Sequence, residues 1–426
     1  MAKENKSGAK VPNLRFPGFE GEWDTRKLGE IMDFKVTNSF SRDNLNYESG
    51  TTKNIHYGDI HTKFQTLFDV TNEIVPFINV EIDVSRISNE NYCREGDIIF
   101  ADASEDLNDV GKSIEIINLN GERLLSGLHT LLARPNNGVF HLGFNGYLFK
   151  SNFVRTQIQR ESQGSKVLSV NVGRISRIDL AFPSIQEQKK IADLLSLIDE
   201  RIQTQNKIIE GLKSSRDTIS KLIFSRKVRF KDDSGHAFPE WNVTKLRNIS
   251  KIYDGTHQTP DYVADGVQFY SVENVTANQF NNTKYIAAEV YDKENKRIKL
   301  EKGDILMTRI GSIGVAKYID WDVKASFYVS LALFKKSLNV NNEFLYHFIK
   351  TDFFQTELWK RTIHVAFPKK INLGEIGECL VKIPCSTEQD KIAKMLSTIE
   401  SKIEFESELL GKMEFQKKYL LANLFI

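Results

Sequence analysis

The residues with the most chemistry to offer are hydrogen-bonding and cationic side chains in turn-rich stretches. What they suit is recognition of phosphates and base edges, not bond-making. DGTHQTPDY (254–262) places Thr256, His257, Gln258 and Thr259 in a row, and each can bond a phosphate oxygen or a base edge. QFYSVENVT (268–276) follows as a short strand carrying Tyr270 and ending in Glu273 and Asn274. KGDILMTRIGSIGVAKY (302–318) reads as strand, loop, strand. In that loop Gly311 and Gly314 let the backbone approach a phosphate closely, Arg309 supplies the charge, and Thr308 and Ser312 supply hydroxyls. Taken alone, the same loop is better read as a plain hairpin turn. Lys369 and Lys370 stand just before a later apolar strand.

The first half offers weaker counterparts. KVTNSFSRDNLNY (35–47) supplies Asn38, Ser39 and Arg42, and IHYGDIHTKF (55–64) supplies His56 and Tyr57. His56 and His61 read as structural, since no third metal ligand stands nearby. ADASEDLNDVGKS (101–113), with Lys112, is acidic where the second half has TRIGS; it either accepts from cytosine N4 or avoids nucleic acid. Ser165 and Lys166 are expected to take the place that Lys369 and Lys370 hold in the second half.

Sequence signatures of bond-making are missing. There is no HExxH, no GxSxG, no Asp/Asn-Pro-Pro-Tyr/Phe and no convincing Asp…Glu-x-Lys set. Gly111-Lys112-Ser113 is no phosphate loop, because Asp106 stands where its first glycine belongs. Three cysteines without paired spacing argue against disulfides and structural zinc. A net charge of +2 neither demands nor excludes a polyanionic partner. No apolar run approaches a membrane span of about 20 residues, and MAKENKSGAK lacks a signal peptide's apolar core, so a cytoplasmic binding protein is expected.

The elements that must position these residues come twice. FPSIQEQKKIADLLSLIDERI (182–202) and IPCSTEQDKIAKMLSTIESKI (383–403) align at an offset of 201, with Pro183/Pro384, Glu187/Glu388, Gln188/Gln389, Ile191/Ile392 and Leu195/Leu396 among the identities. The openings FPGFEGEWDTRKLGEI (16–31) and FPEWNVTKLRNISKI (238–252) also match, Trp23 facing Trp241. REGDIIFADAS (94–104) matches EKGDILMTRIG (301–311). A constant frame with two divergent middles suits one architecture that reads two different things.

After each proline a long helix is expected, about 35 residues and roughly 50 Å. Ile191, Leu195, Ile198, Ile202, Gln205, Ile209, Leu212, Arg216, Ile219 and Ile223 step by four and three, and the second copy repeats the pattern from Ile392 to Leu424. Such heptads predict a coiled coil, and because a parallel pair would set Arg216 against Lys417, an antiparallel one within the chain. Its predicted register sets Arg216 against Glu406 and Gln205 against Lys417, avoiding an Arg216–Lys417 clash, and sets Ile209 against Met413 and Ile219 against Ile403. Two ordinary amphipathic helices, each packed on its own domain, are the alternative.

The doubled frame resembles the specificity subunits of type I restriction–modification systems, in its FP…W…KL openings, Gly-Asp-Ile-Leu before TRIGSIG, DGTHQTPDY and the Pro-x₃-Glu-Gln-x-Lys-Ile-Ala helix starts. The resemblance implies an α+β chain with two mixed α/β target-recognition domains related by a pseudo-two-fold and separated by the two long helices. The expected layout is a disordered tail over 1–12, recognition domains over 13–185 and 227–385, and conserved helices over 186–226 and 386–426. It implies a bipartite target on double-stranded DNA, no catalytic residue and no metal or cofactor in this chain. Partners would be methyltransferase subunits using S-adenosylmethionine and motor–nuclease subunits using ATP and Mg²⁺. The first half departs from the pattern, since no TR-x-G-S follows its Gly-Asp-Ile. A coiled-coil adaptor that never touches DNA, or a stand-alone methyltransferase or nuclease, are the competing readings.

Overall fold

The computed structural model describes residues 11–426; the expected tail lies, for residues 1–10, outside them. The chain divides into two compact units, one of residues up to Asn206 with Glu408–Ile426, the other of Lys207–Ser407. The helices Ile185–Phe224 and Ser386–Asn423 each lend one part to each unit.

The first unit is built on a five-stranded sheet in the order Met32–Lys35, Thr130–Pro135, Ile98–Ala101, Ser113–Asn118, Leu67–Asp69. Only the last pair is parallel. The second unit has the same sheet less its edge strand: Ile252–Asp254, Leu331–Phe334, Ile305–Thr308, Ala316–Tyr318. A smaller four-stranded sheet accompanies each, and in both a parallel pair joins strands far apart in sequence. The opening segment closes each unit by pairing with the strand before the long helix: Asp24–Lys27 with Asp179–Phe182, and Asn242–Lys245 with Leu380–Ile383.

The repeated motifs explain this likeness physically. Gly96 and Gly303 take positive φ (+89° and +93°), a turn that disfavours any side chain. The following Asp is buried and pins the neighbouring strand end: Asp97 accepts both Nε (2.8 Å) and Nη2 (2.7 Å) of Arg134, and Asp304 accepts Lys335 Nζ (2.7 Å). The strands that follow, Ile98–Ala101 and Ile305–Thr308, are buried on both faces, so each reads as an apolar run, broken only at Thr308 where the second ends. In the helix starts, Gln188 donates to Pro183 O (2.9 Å) and accepts from His141 N (2.8 Å); Gln389 does the same with Pro384 O (2.9 Å) and Asn341 N (2.8 Å).

Within each unit the two long helices run antiparallel. In the first, Ile191 and Leu195 share a core with Leu424 and Phe425, where Phe425 meets Trp23 edge-on at 6.3 Å. In the second, Ile223 shares a core with Ile392 and Leu396, and Phe224 meets Trp241 at 6.2 Å. Burying one such aromatic contributes roughly 1.5–3 kcal/mol. The register differs from the prediction. Arg216 bonds its neighbour Asp217 (2.8 Å) and reaches Glu400 (4.0 Å) in place of Glu406, and Lys417 pairs with Asp199 in place of Gln205. Both acids stand six residues earlier than expected, about one heptad, and Ile219 packs with the cluster of Ile392 and Leu396. Glu406 takes Lys402 (2.5 Å), and both Gln205 and Glu406 have partners of their own. The sheets decide this shift: Tyr147 and Lys350, from helices packed on the sheets, bond Asp199 (2.9 Å) and Glu400 (2.6 Å). These acids are anchored from the domain side, a constraint that heptad spacing does not contain.

Candidate nucleic-acid interface

In the second unit the strand Ile252–Asp254 turns into the segment Gly255–Pro260, which is held by backbone. Thr256 N donates to Phe327 O (3.0 Å) and Val329 N donates back to Thr256 O (2.9 Å). A Cβ on Gly255 would lie 2.0 Å from Phe327 O, so only glycine lets the two backbone segments approach. Thr256 is buried by this pairing, while His257, Gln258 and Thr259 face solvent. Thr259 Oγ1 bonds the Tyr328 hydroxyl (3.0 Å). Asp254 organises the base of the loop, accepting from His257 Nε2 (2.8 Å) and Arg297 Nη1 (2.9 Å). Burial raises its carboxyl pKa, but the bonds from Arg297 and His257 outweigh burial and hold it below the usual range. Sequence reading passed over Asp254 and Arg297. The acid directly before a turn glycine was a local signal; Arg297, far along the chain, gave none.

The loop after Thr308 lies against the segment 363–371. Gly311 N donates to Lys369 O (2.8 Å), Ile371 N to Arg309 O (3.0 Å) and Ile363 N to Lys370 O (2.8 Å). Ser312, Lys369 and Lys370 are exposed on this double loop. Arg309 is not. Its Nε donates to Val329 O (2.8 Å) and its Nη1 to Ile371 O (3.1 Å), so the guanidinium ties three segments together from inside. Burial lowers its pKa. Thr308 is buried, its hydroxyl accepting from Val315 N (3.0 Å) and donating to Ser312 O. Tyr270 is buried, and its hydroxyl donates to Gln268 (2.9 Å). Asn274 caps the helix Val272–Ala277, accepting from Ser271 N (2.9 Å). These four, and Thr256, are therefore spent on the fold.

The first unit sorts the same way. Asn38 turns inward to Asn54 (2.7 Å), Arg42 forks onto buried Asp59 (2.7 and 2.9 Å), and Lys112 donates to His61 O (2.6 Å). His56 is buried, its Nδ1 accepting from Gly58 N (3.2 Å); burial, and then the Arg42 charge, lower its pKa. Ser39, Ser165 and Lys166 are exposed, and Tyr57 is half-buried against His129 (5.3 Å). Ser165 and Lys166 do not stand where Lys369 and Lys370 do. Ser169 bridges Gln163 as Lys370 bridges Ile363, so the counterpart of the lysine pair is Leu168-Ser169, and Lys166 sits in the loop tip. The matched position to Arg309 is Asp102. Asp102 N takes the place of Arg309 N, donating to His129 O (3.0 Å) where Arg309 N donates to Ser330 O (2.9 Å), and Asp102 O accepts from Val170 N (2.9 Å). One backbone site thus carries opposite charges, Asp102 pairing with His129 (3.2 Å) and Arg309 approaching Asp254 (3.8 Å).

Among the described residues no group of three or more His, Cys, Asp or Glu is placed to hold a metal, and no helix is long and apolar enough to cross a membrane. The family model for the type I restriction modification DNA specificity domain matches residues 20–214 and again 239–414. The chain belongs to that family. Specificity subunits are the non-catalytic members of type I systems, and their part is DNA target specificity. The MjaVIII specificity subunit of Methanocaldococcus jannaschii is 28% identical over 298 residues, 65% of this chain and 68% of that protein. The crystal structure of a type I restriction–modification S subunit from M. genitalium superposes with a TM-score of 0.64 at 17% identity, over 98% of this chain and 99% of that one. A chain from a study of complex assembly and conformational transition of the type I system gives 0.52 at 14%, over 97% and 99%. At these identities the two structures speak for the fold alone.

Proposed function

We propose that each unit reads one half of a bipartite site on double-stranded DNA, residues 13–185 and 227–385 acting as the recognition domains and the long helices 186–226 and 386–426 as the frame. In the second unit the reading surface is His257, Gln258 and Thr259 with Ser312, Lys369 and Lys370. In the first it is Ser39, Tyr57, Ser165 and Lys166, with Arg42 and Lys112 at its margin. The observation that carries this is that one frame, matched backbone for backbone at Asp102 and Arg309, exposes unlike loops: His257, Gln258, Thr259, Ser312, Lys369 and Lys370 in one unit, Ser39, Ser165 and Lys166 in the other. Phosphate contacts would fix position and base-edge contacts would discriminate.

The partners in this reading are methyltransferase and motor–nuclease subunits, which would use S-adenosylmethionine, ATP and Mg²⁺. This chain would bind none of these and would work in the cytoplasm. Mapping methylated adenines across the genome with and without the gene tests it. The expected result is one split motif that vanishes with the gene. An unchanged methylation map would sink the reading.

A further inference from the structure

The segment 363–371 closes back on itself, Ile363 N bonding Lys370 O (2.8 Å), and its tip projects two apolar side chains. Val365 is 97% exposed and Phe367 104% exposed, as open as in an extended chain. Single exposed hydrophobics are ordinary. Two on one pinned tip, directly before Lys369 and Lys370, are a different arrangement. The base of the tip is bonded to the loop 310–311 through Lys369 O and Lys370, so the apolar residues ride on the same double loop as the cations. The corresponding tip of the first unit also carries an exposed aliphatic residue, Val167, beside Lys166.

We propose that Phe367, supported by Val365, is a wedge that enters the DNA stack beside the second unit's half-site. The inference rests on the DNA-reading function proposed above and adds a distortion to it. The lysines would hold the backbone on either side while the ring fills the gap between two separated base pairs. Apolar side chains inserted in this way unstack a step and kink the duplex. Base steps differ in how readily they open, so the wedge adds selectivity at a position where no side chain bonds a base.

The test uses the full chain, purified with whatever subunits accompany it from its host, and duplexes enriched from a random pool by that preparation. 2-Aminopurine is then placed at each position of the enriched site in turn. The expected result is a several-fold rise in fluorescence at one step on binding. Phe367→Ala removes that rise while Lys369→Ala/Lys370→Ala lowers affinity. Because the ring touches solvent only, Phe367→Ala should melt at the wild-type temperature. If duplexes are enriched but Phe367→Ala leaves the fluorescence rise unchanged, or no step brightens, the wedge is wrong and DNA reading stands. If no duplex is enriched at all, the DNA reading itself fails and takes the wedge with it.

Discussion

The guanidinium of Arg229 closes on both carboxylate oxygens of Glu388, Nε to Oε1 at 3.1 Å and Nη2 to Oε2 at 2.8 Å. Arg15 grips Glu187 identically, at 2.8 and 2.8 Å. The Arg in each case precedes the opening strand, and the Glu lies in the first turn of a long helix. The first turn leaves its N–H groups unpaired, so a carboxylate there is favoured before any partner arrives. Each fork therefore ties the start of a unit to the helix that follows it.

The two forks should not be worth the same. Glu388 also accepts the indole N–H of Trp241 (3.1 Å), whereas Trp23 Nε1 has no partner among the described residues. Removing one member of a buried ion pair costs about 3–5 kcal/mol, less where the Arg is partly in water, as here. Glu388→Ala should cost about 1 kcal/mol more than Glu187→Ala, the value of the extra hydrogen bond. Urea unfolding of both variants measures the difference. Equal losses would mean that the indole bond contributes nothing.

Arg309 is predicted to be a stability residue. Its donors are aimed at Val329 O and Ile371 O, and its removal would orphan both carbonyls inside the double loop. Arg309→Ala should destabilise the chain by about 1–3 kcal/mol while leaving the salt dependence of DNA binding as it was. Lys369→Ala/Lys370→Ala should do the reverse, lowering the slope of log affinity against log salt by up to about 2. An Arg309→Ala protein of unchanged stability and shallower salt slope would restore the phosphate-contact reading taken from the sequence.

How much of this was legible depends on whether the cause was local. The duplication, the paired openings, the repeated Gly-Asp-Ile segments and the two helices are written in repeated residues, and each recurs in both units. Sequence cannot rank two cations by burial: TRIGS shows Arg309 and KK shows Lys370, but only the sheet decides that Arg309 points inward. Ser165 and Lys166 do not take the place of Lys369 and Lys370 because the tip lengths differ between units, and hydrogen bonding, not composition, sets the equivalence. The clash that Arg216 and Lys417 would make in a parallel pair gives the direction of the helices, whereas the heptads leave the register open, since shifting an antiparallel seam by about one heptad again pairs apolar with apolar.

That ambiguity gives a direct test. Within the second unit, Ile219→Cys with Leu396→Cys should form a disulfide under mild oxidation, and Ile219→Cys with Ile403→Cys should not. The predicted register demands the opposite outcome. Cys379 is buried and Cys385 partly so, and both should be replaced by serine or alanine beforehand. Tryptic mapping of the oxidised proteins reads the result.

The last prediction concerns pH, which should act on the two units with opposite sign. In the first unit burial pushes the Glu115 carboxyl up to about 7, against the opposing bonds from Gly146 N (2.7 Å) and Gly143 N (2.8 Å). Its unfolded value is near 4.5. Unfolding therefore releases a proton between these values, so the stability that Glu115 contributes is full below about 4.5 and is lost as pH rises through about 7. In the second unit burial pushes His347 down to about 4; Glu400 opposes this, and the Lys350 and Arg216 charges reinforce it. Unfolding lets it titrate near 6.5, so its contribution is present above 6.5 and is lost as pH falls toward 4. Each slope approaches about 1.4 kcal/mol per pH unit at most. Between pH 5 and 6.5, native-state hydrogen exchange corrected for intrinsic rates should show protection falling in Ser113–Asn118 and rising in Asn342–Ile349. Glu115→Gln should flatten the first trend and His347→Gln the second. Parallel trends, or trends that survive both substitutions, would show that neither buried group sets the pH response.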